Sequence, residues 1–191
     1  AKVEANFIDL YGVRLEVIQS DRTYYVSTTG NDANDGLSVG TPVATILKAT
    51  QLIHNALWVP RGLYAVVKLA DGTYTEAVEI QACHGPGMIK LVGNVSTPAN
   101  VTVTSAGNTL AVLTPVKLRI ESVTLRTTLA SRACVASRSG GYVEIGPGVI
   151  FGATSSASWH LAAYSKGLIV CLNDYTISGQ CEHHYYTERG G

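Results

Sequence analysis

Three glutamates in the middle of the sequence, Glu79, Glu121 and Glu144, are the candidates for acid–base chemistry. Glycoside hydrolysis needs two carboxyl groups about 5 to 9.5 Å apart that flank the bond to be cleaved. Residues so far apart in sequence meet only if the chain returns to one place on successive turns. The same positions are also typical of solvent-facing residues on stacked strands. The sequence therefore favours a non-enzymatic chain, with glycoside hydrolase or polysaccharide lyase as the class if it is an enzyme.

The polar segment around Asp32, Asn34 and Asp35 could bind calcium through oxygen ligands. It lacks the ligand spacing of an EF-hand loop, so we expect an Asx-type turn in which these side chains hydrogen-bond to their own backbone. A second metal-like group is His183 and His184. Neighbouring residues of a strand point to opposite faces, so this pair is not expected to bind one ion together. We expect no cofactor.

Aromatic residues are the candidates for carbohydrate binding, and we single out Trp159, Tyr142 and Tyr164. Their rings combine an apolar face with a polar edge, which suits stacking on sugar rings. Ordinary packing at turns or at subunit contacts would explain the same residues equally well. The sequence leaves both interpretations open.

The composition excludes several classes of partner. The 191 residues include 14 Lys and Arg against 14 Asp and Glu, and only 15% of the chain is charged. Nucleic-acid binding requires clustered basic residues, so we expect none. No apolar window of about 18 residues occurs, so we expect no membrane span. The four cysteines form no CxxC pair, and we expect reduced, mostly buried thiols, with disulfides as the alternative.

The chain divides into three regions by pattern. Residues 1–22 mix polar and apolar positions without a clear period and are predicted to form an arm, a strand pair or a neck. Residues 23–62 are predicted to form a strand, a polar turn and an amphipathic helix. We place the N-cap of this helix at Thr41, followed by Pro42, and expect Ile46, Leu47 and Ile53 to cover the end of a solenoid.

Residues 63–191 consist of short alternating runs that are interrupted by Gly, Asn and Pro. Apolar residues recur 22 positions apart at Leu69, Leu91, Leu113 and Val135, and we predict that they stack in one column. A second series follows about ten residues later, from Val78 and Ile80 through Val101 and Val103, Val123 and Leu125, to Val143 and Ile145. This spacing is typical of one turn of a three-stranded parallel β-helix. We therefore predict five or six turns.

The region from Tyr24 to about Ile80 carries a resemblance to a known family. Its order is YYVSTTGNDANDGLS, then TPVATILKAT, then VVKLADGTYTEAVEI. This order resembles the opening of pectate-lyase-like proteins, and among them the tail fibres and tailspikes of bacteriophages. The resemblance implies an all-β fold: a right-handed parallel β-helix with an N-terminal arm and a capping α-helix. The segment ISGQCEHHYYTERGG looks like the start of a further turn, so we expect the sequence to belong to a longer chain.

The same resemblance implies a function. It indicates a homotrimeric virion protein, folded in the cytoplasm of the host bacterium, that contacts bacterial surface polysaccharide and other phage tail proteins. Two alternatives stay open: a polysaccharide depolymerase of a tailspike, and a secreted bacterial carbohydrate-binding β-helix. Pectate lyases use acidic calcium ligands, but no Asp occurs between Asp71 and Asp174, which argues against lyase activity here.

Overall fold

The structure, a computed structural model, describes residues 6–188. Most strands belong to three parallel sheets that run side by side along one axis. Sheet I has six strands: β3 (Arg22–Val26), β5 (Tyr64–Leu69), β8 (Met88–Val92), β11 (Lys117–Glu121), β14 (Tyr142–Ile145) and β17 (Leu168–Cys171). Sheet II has five strands: β6 (Gly72–Thr75), β9 (Val101–Ser105), β12 (Thr124–Thr127), β15 (Ile150–Phe151) and β18 (Thr176–Ile177). Sheet III also has five: β7 (Val78–Ile80), β10 (Leu110–Val112), β13 (Ala133–Ser137), β16 (Trp159–Tyr164) and β19 (His183–Glu188).

The chain visits sheets I, II and III in that order and then repeats, so β5 to β19 make five turns of a parallel β-solenoid. Apart from the first and last strands of each sheet, each strand pairs in parallel with the strand one turn before it and the strand one turn after it. Side chains alternate along most strands, and the inward-facing ones are mostly aliphatic. The predicted all-β solenoid, and its number of turns, are confirmed.

The core consists of columns of buried side chains, but not the predicted columns. In sheet I, Val67, Leu91, Ile120 and Ile145 are register partners on successive turns, and each is at most 1% exposed. Leu69 pairs instead with Val26.

Leu91, Leu69 and Leu113 are therefore not neighbours along the axis, and the predicted 22-residue column is wrong. Leu113 follows the end of β10 and is half-buried. From Val67, the column advances by 24, 29, 25 and 26 residues to Cys171, because the connections between strands differ in length.

The second predicted series is partly correct. Val103 and Leu125 are register partners in sheet II, as predicted. Val78 pairs with Leu110 in sheet III, whereas Val143 lies in sheet I. The series therefore mixes residues from all three sheets.

One end of the solenoid is covered by a short helix and a hairpin. Helix α1 (Ile46–Ala56) packs against the first strands of the solenoid. Two further strands, β1 (Asn6–Leu10) and β2 (Val13–Val17), form an antiparallel hairpin, and β2 pairs in parallel with β4 (Leu57–Trp58). Within the predicted region 1–22, the described part thus forms a strand pair, while residues 1–5 lie outside the described residues.

The start of α1 differs from the prediction. The N-cap is Thr45, whose Oγ1 accepts a hydrogen bond from Lys48 N at 3.1 Å, and not Thr41. Glu76, which follows β6, accepts from Ile46 N at 2.9 Å and from Leu47 N at 3.1 Å. Contacts that are distant in sequence therefore fix where the helix begins.

The buried face of α1 contains Ile46, Ala49, Thr50 and Ile53. Leu47 is 36% exposed, so its predicted place on this face is wrong. A 3₁₀ helix, Pro98–Asn100, precedes β9. Among residues 6–188, no helix is long and apolar enough to cross a membrane.

Candidate functional site

Sheet I carries a charged cluster on its outer face, formed by Lys90, Arg119, Glu121 and Glu144. Arg119 and Glu144 are register partners on β11 and β14, and Lys90 precedes Arg119 on β8. Arg119 Nε donates to Glu121 Oε1 at 2.6 Å, and its Nη1 donates to Glu144 Oε2 at 2.9 Å. Lys90 Nζ lies 2.9 Å from Glu121 Oε2. One guanidinium therefore joins two of the three glutamates that the sequence singled out.

The electrostatics of this cluster do not suit a general acid. Burial by itself would raise the pKa of Glu121, but the hydrogen bonds from Arg119 and Lys90 outweigh it and hold that pKa below its ordinary value. A glycosidase acid needs a carboxyl whose pKa is raised. The hydroxyl of Tyr142 also donates to Glu144 Oε1 at 3.0 Å. Glu79 lies apart from the cluster, exposed on β7 of sheet III.

Sheet III carries an aromatic surface, which we define as Trp159, Tyr164 and Tyr186. The ring centroids of Trp159 and Tyr186 are 4.3 Å apart with an interplanar angle of 17°, and those of Tyr164 and Tyr186 are 5.7 Å apart. All three side chains are half-buried. Two of the three predicted carbohydrate contacts therefore lie together, whereas Tyr142 is on sheet I.

The aromatic surface rests on a floor of small residues. Ala111, Ala133, Ala136 and Ala162 form a buried cluster against which the three rings pack. Alanine on β10, β13 and β16 leaves room for a large ring from a neighbouring turn. Tyr186 was not predicted as a contact. Its position opposite Ala162 follows from the register of β16 and β19, which the sequence does not display.

A cation adjoins the aromatic surface. Arg138 places its Cζ 4.4 Å from the centre of the Tyr164 ring, which is a cation–π arrangement. Burial raises the pKa of Tyr164, and Arg138 opposes this rise. Arg138 and Tyr164 line a cavity of about 200 Å³ together with Ser165 and Glu188. The arrangement can offer a ring edge, a guanidinium and hydroxyl groups to one bound molecule.

The acidic turn uses its side chains within the protein. Asp32 Oδ1 accepts from Ala44 N at 2.8 Å and from Thr45 N at 3.0 Å. Asn34 Nδ2 donates to the carbonyl oxygen of Pro42 at 2.9 Å, and Asp35 Oδ1 accepts from Leu37 N at 3.0 Å. The bond of Asp35 is that of the Asx-type turn that we expected. Asn34 and Asp32 instead bond to the backbone eight to thirteen residues later, and Asp32 thereby supports the start of α1.

A polar group lies inside the solenoid near its last turn. His160 is fully buried, and its Nε2 donates to the carbonyl oxygen of Gly152 at 3.1 Å. Its Nδ1 lies 2.9 Å from His184 Nδ1 and 3.5 Å from Cys181 Sγ. Burial lowers the pKa of His160. Burial and the neighbouring His160 ring together lower the pKa of His184 to about 4. Both rings are therefore neutral at pH 7.

His183 points away from this group, so the two adjacent histidines lie on opposite faces, as predicted. The Nε2 atom of His183 lies 3.7 Å from Glu182 Oε1. The sequence did not point to His160, because its partner, His184, comes 24 residues later in the chain, on the next turn. No group of three His, Cys, Asp or Glu side chains that could hold a metal ion occurs between residues 6 and 188.

The cysteines are free thiols in different surroundings. Cys134 is buried, Cys83 and Cys181 are half-buried, and Cys171 is exposed, so the expectation that most are buried is only partly correct. Burial raises the pKa of Cys83 to about 12. This thiol is therefore a poor nucleophile at pH 7.

A cavity of about 510 Å³ lies between the acidic turn and the first strands of sheet I. None of the residues that the sequence singled out as sites lines it. Its charged group, Lys68, donates to the carbonyl oxygen of Gly93 and so is already engaged. This cavity is therefore separate from the candidate site residues.

Comparison of the chain with models of known protein families, with curated proteins and with solved structures gives no significant match.

Proposed function

We propose that this chain is a structural and adhesive solenoid that contacts bacterial surface polysaccharide, as a component of a phage tail fibre or tailspike. The observation that carries the proposal is the aromatic surface of sheet III, where three half-buried rings and Arg138 lie together. Clustered aromatic rings with a neighbouring cation suit sugar rings, which present both apolar faces and polar edges. The phage assignment rests on the resemblance of residues 24–80 to tail proteins.

The solenoid supports the structural part of the role. Five turns with continuous parallel pairing and buried aliphatic columns give a stiff body whose stability accumulates along its axis. The proposal includes a homotrimer, in which outward faces that retain apolar residues become subunit contacts. Light scattering measures the mass of the assembly, and a monomer would contradict this part.

The alternative of a depolymerase is less well supported by the geometry. Glu121 and Glu144 are both bound by Arg119, and Glu79 lies on another sheet. Release of reducing ends from capsular polysaccharide or lipopolysaccharide would favour the depolymerase. The second alternative, a secreted bacterial carbohydrate-binding protein, is distinguished by neighbouring genes: tail-assembly genes favour the phage protein.

The sugar contact is tested by fluorescence. The sequence has two tryptophans, so the Trp58→Phe variant reports Trp159 alone. We expect its emission to change on titration with a panel of purified capsular and O-antigen polysaccharides. Replacement of Tyr164 and Tyr186 by alanine should weaken binding at least about tenfold, by loss of ring contacts.

The matched control is Tyr64→Ala, which removes a tyrosine ring from sheet I. Unchanged emission with every polysaccharide, or equal weakening by the control, would contradict carbohydrate binding at this surface.

A further inference from the structure

The outer face of sheet II holds a groove that neither the charged cluster nor the aromatic surface shares. Its volume is about 430 Å³, within the range of about 300 to 1,000 Å³ of small-molecule sites. The groove crosses β9, β12, β15 and β18. Four adjacent strands at about 4.8 Å spacing give it a length of roughly 14 Å. It therefore runs along the solenoid axis across three successive inter-turn steps.

Four of the nine residues that line the groove carry hydroxyl groups, and three of these four are in register. Thr102, Thr124 and Thr176 occupy one column, in which Ile150 replaces a threonine on β15. Ser178 lines the groove at the same end as Thr176. Side chains alternate along a strand, so each of these residues points outward while its apolar neighbour fills the core. The groove thus offers hydroxyl groups at the repeat distance of the turns.

One of these hydroxyls has no hydrogen-bond partner among the residues that the structure describes. Thr124 is only 9% exposed, and its Oγ1 is buried without a hydrogen bond. Leaving a buried hydroxyl unsatisfied costs about 1 to 3 kcal/mol, and such groups are normally satisfied by protein, water or ligand. The floor of the groove therefore contains a polar atom that the described residues leave unsatisfied, and rotation of the Thr124 side chain would bring it to a bound molecule.

A cation lies across the same groove. The stem of Arg126 passes over Gly152, where an added Cβ would come 2.8 Å from Arg126 Cγ. Arg126 Nε donates to the carbonyl oxygen of Ala153 at 3.2 Å, which holds the side chain along the groove. With the residues described, Arg126 forms no ion pair, whereas Arg119 and Arg22 each do. No carboxylate lines the groove to offset its charge.

We infer that this groove binds a carboxylate-bearing saccharide: Arg126 would pair with the carboxylate, and the threonine and serine hydroxyls would bond the sugar hydroxyls. Guanidinium groups bind carboxylates in two parallel hydrogen bonds, and the Nη groups of Arg126 make no hydrogen bond within residues 6–188. Ile150 and Ala153 supply apolar contact for the sugar carbons. This groove is on a different sheet from the aromatic surface, so binding in the groove can be tested independently of binding at the aromatic surface.

The test is an NMR titration of the intact, ¹⁵N-labelled protein. The probe is a linear trimer of glucuronic acid, and its matched control is the same trimer with every carboxyl group converted to a methyl ester. We expect amide shifts at Thr102, Thr176 and Ser178 with the acidic trimer, at a Kd of about 1 mM or below, and none with the ester. Shifts at Tyr164 and Tyr186 would instead report the aromatic surface, so the two proposals give separate signals.

Two variants make the test specific. Arg126→Gln should raise the Kd about tenfold or more, because a hydrogen bond to a charged group is lost. The control Arg132→Gln removes an exposed arginine outside the groove and should leave the Kd unchanged. Thr124→Val should weaken binding about threefold and yet leave the Tm equal or higher, since it removes an unsatisfied buried hydroxyl.

Absence of shifts in the groove at about ten times the expected Kd would overturn the inference. Equal binding of the methyl ester, or equal weakening by Arg126→Gln and Arg132→Gln, would overturn it as well.

Discussion

Replacement of Arg119 by methionine tests whether the charged cluster of sheet I stabilises the solenoid. Methionine keeps an unbranched apolar stem but removes the charge that joins Glu121 and Glu144 at 2.6 and 2.9 Å. Glu121 would then keep its ion pair with Lys90, and Glu144 would keep the hydrogen bond from the hydroxyl of Tyr142. Two negative charges on neighbouring strands would be left with less compensation.

The magnitude of the effect follows from the exposure of the three side chains. The side chains of Arg119, Glu121 and Glu144 are 20%, 12% and 14% exposed. Fully exposed ion pairs contribute about 0 to 1 kcal/mol, and breaking a buried pair costs about 3 to 5 kcal/mol. We expect Arg119→Met to lower the free energy of unfolding by about 2 kcal/mol at pH 7. For a chain of this length, that corresponds to a fall in Tm of about 4 to 8 °C.

The loss depends on pH because the pKa of Glu121 is lowered in the folded protein. A carboxyl group whose pKa is lower in the folded than in the unfolded chain stabilises the fold above its unfolded pKa, near 4.3. This contribution disappears as the pH falls through the folded pKa. The difference between wild type and Arg119→Met should therefore be largest near pH 7 and should shrink below about pH 4.

The assay is urea unfolding at several pH values, followed by far-UV circular dichroism. The control is Arg132→Met, which removes an exposed arginine whose Nη1 donates to the carbonyl oxygen of Ser131. We expect this control to change the free energy of unfolding by less than about 0.5 kcal/mol. Wild-type stability of Arg119→Met at pH 7, or a difference that persists unchanged at low pH, would refute this account of the cluster.

Three further changes test the core, the helix cap and a tight turn by urea unfolding. Ile120→Ala should cost about 3 to 4 kcal/mol, because Ile120 is fully buried in the column of sheet I, whereas half-buried Leu113→Ala should cost about 1 kcal/mol; similar costs would contradict the observed register. Glu76→Ala should cost about 2 kcal/mol by leaving the first two backbone N–H groups of α1 without their acceptor, and Glu76→Gln should cost less; equal losses would mean that packing alone is responsible. Gly30→Ala should cost more than about 2 kcal/mol, since its Cβ would lie 2.3 Å from the backbone oxygen of Val43; a neutral result would show that this turn adapts easily.

The solenoid could be predicted from the sequence, but its register could not. Alternating short runs identify strands and their inward faces, and the 22-residue spacing is correct for Val103 and Leu125. Elsewhere the step is longer, as between Leu91 and Ile120, where the connections include the 3₁₀ helix. Sheet I also has valine on its outer face at Val66 and Val92, so apolar positions alone do not fix which residue stacks on which.

The positions of the candidate sites also depend on the register of the strands, which the sequence does not display. Trp159 and Tyr164 share a strand but are five positions apart, an odd spacing that predicts opposite faces. The contacts of Tyr186 with both rings depend on the register of the next turn. Tyr142 lies elsewhere because the strand that carries it belongs to sheet I. The predicted N-cap at Thr41 was wrong for a related reason. Glu76 accepts hydrogen bonds from the start of α1, although it comes at least 29 residues later in the chain. Local helix propensity does not include such distant bonds.

Unequal spacing between register partners has a mechanical consequence. A force that separates the two ends of the chain would peel the solenoid one turn at a time, since each turn is hydrogen-bonded only to its neighbours. Along sheet I, successive partners are 24, 29, 25 and 26 residues apart. Each rupture would lengthen the extended chain by roughly 9 to 10 nm at about 3.6 Å per residue. The turn that contains the 3₁₀ helix would give the longest step, and optical tweezers could identify it by that length.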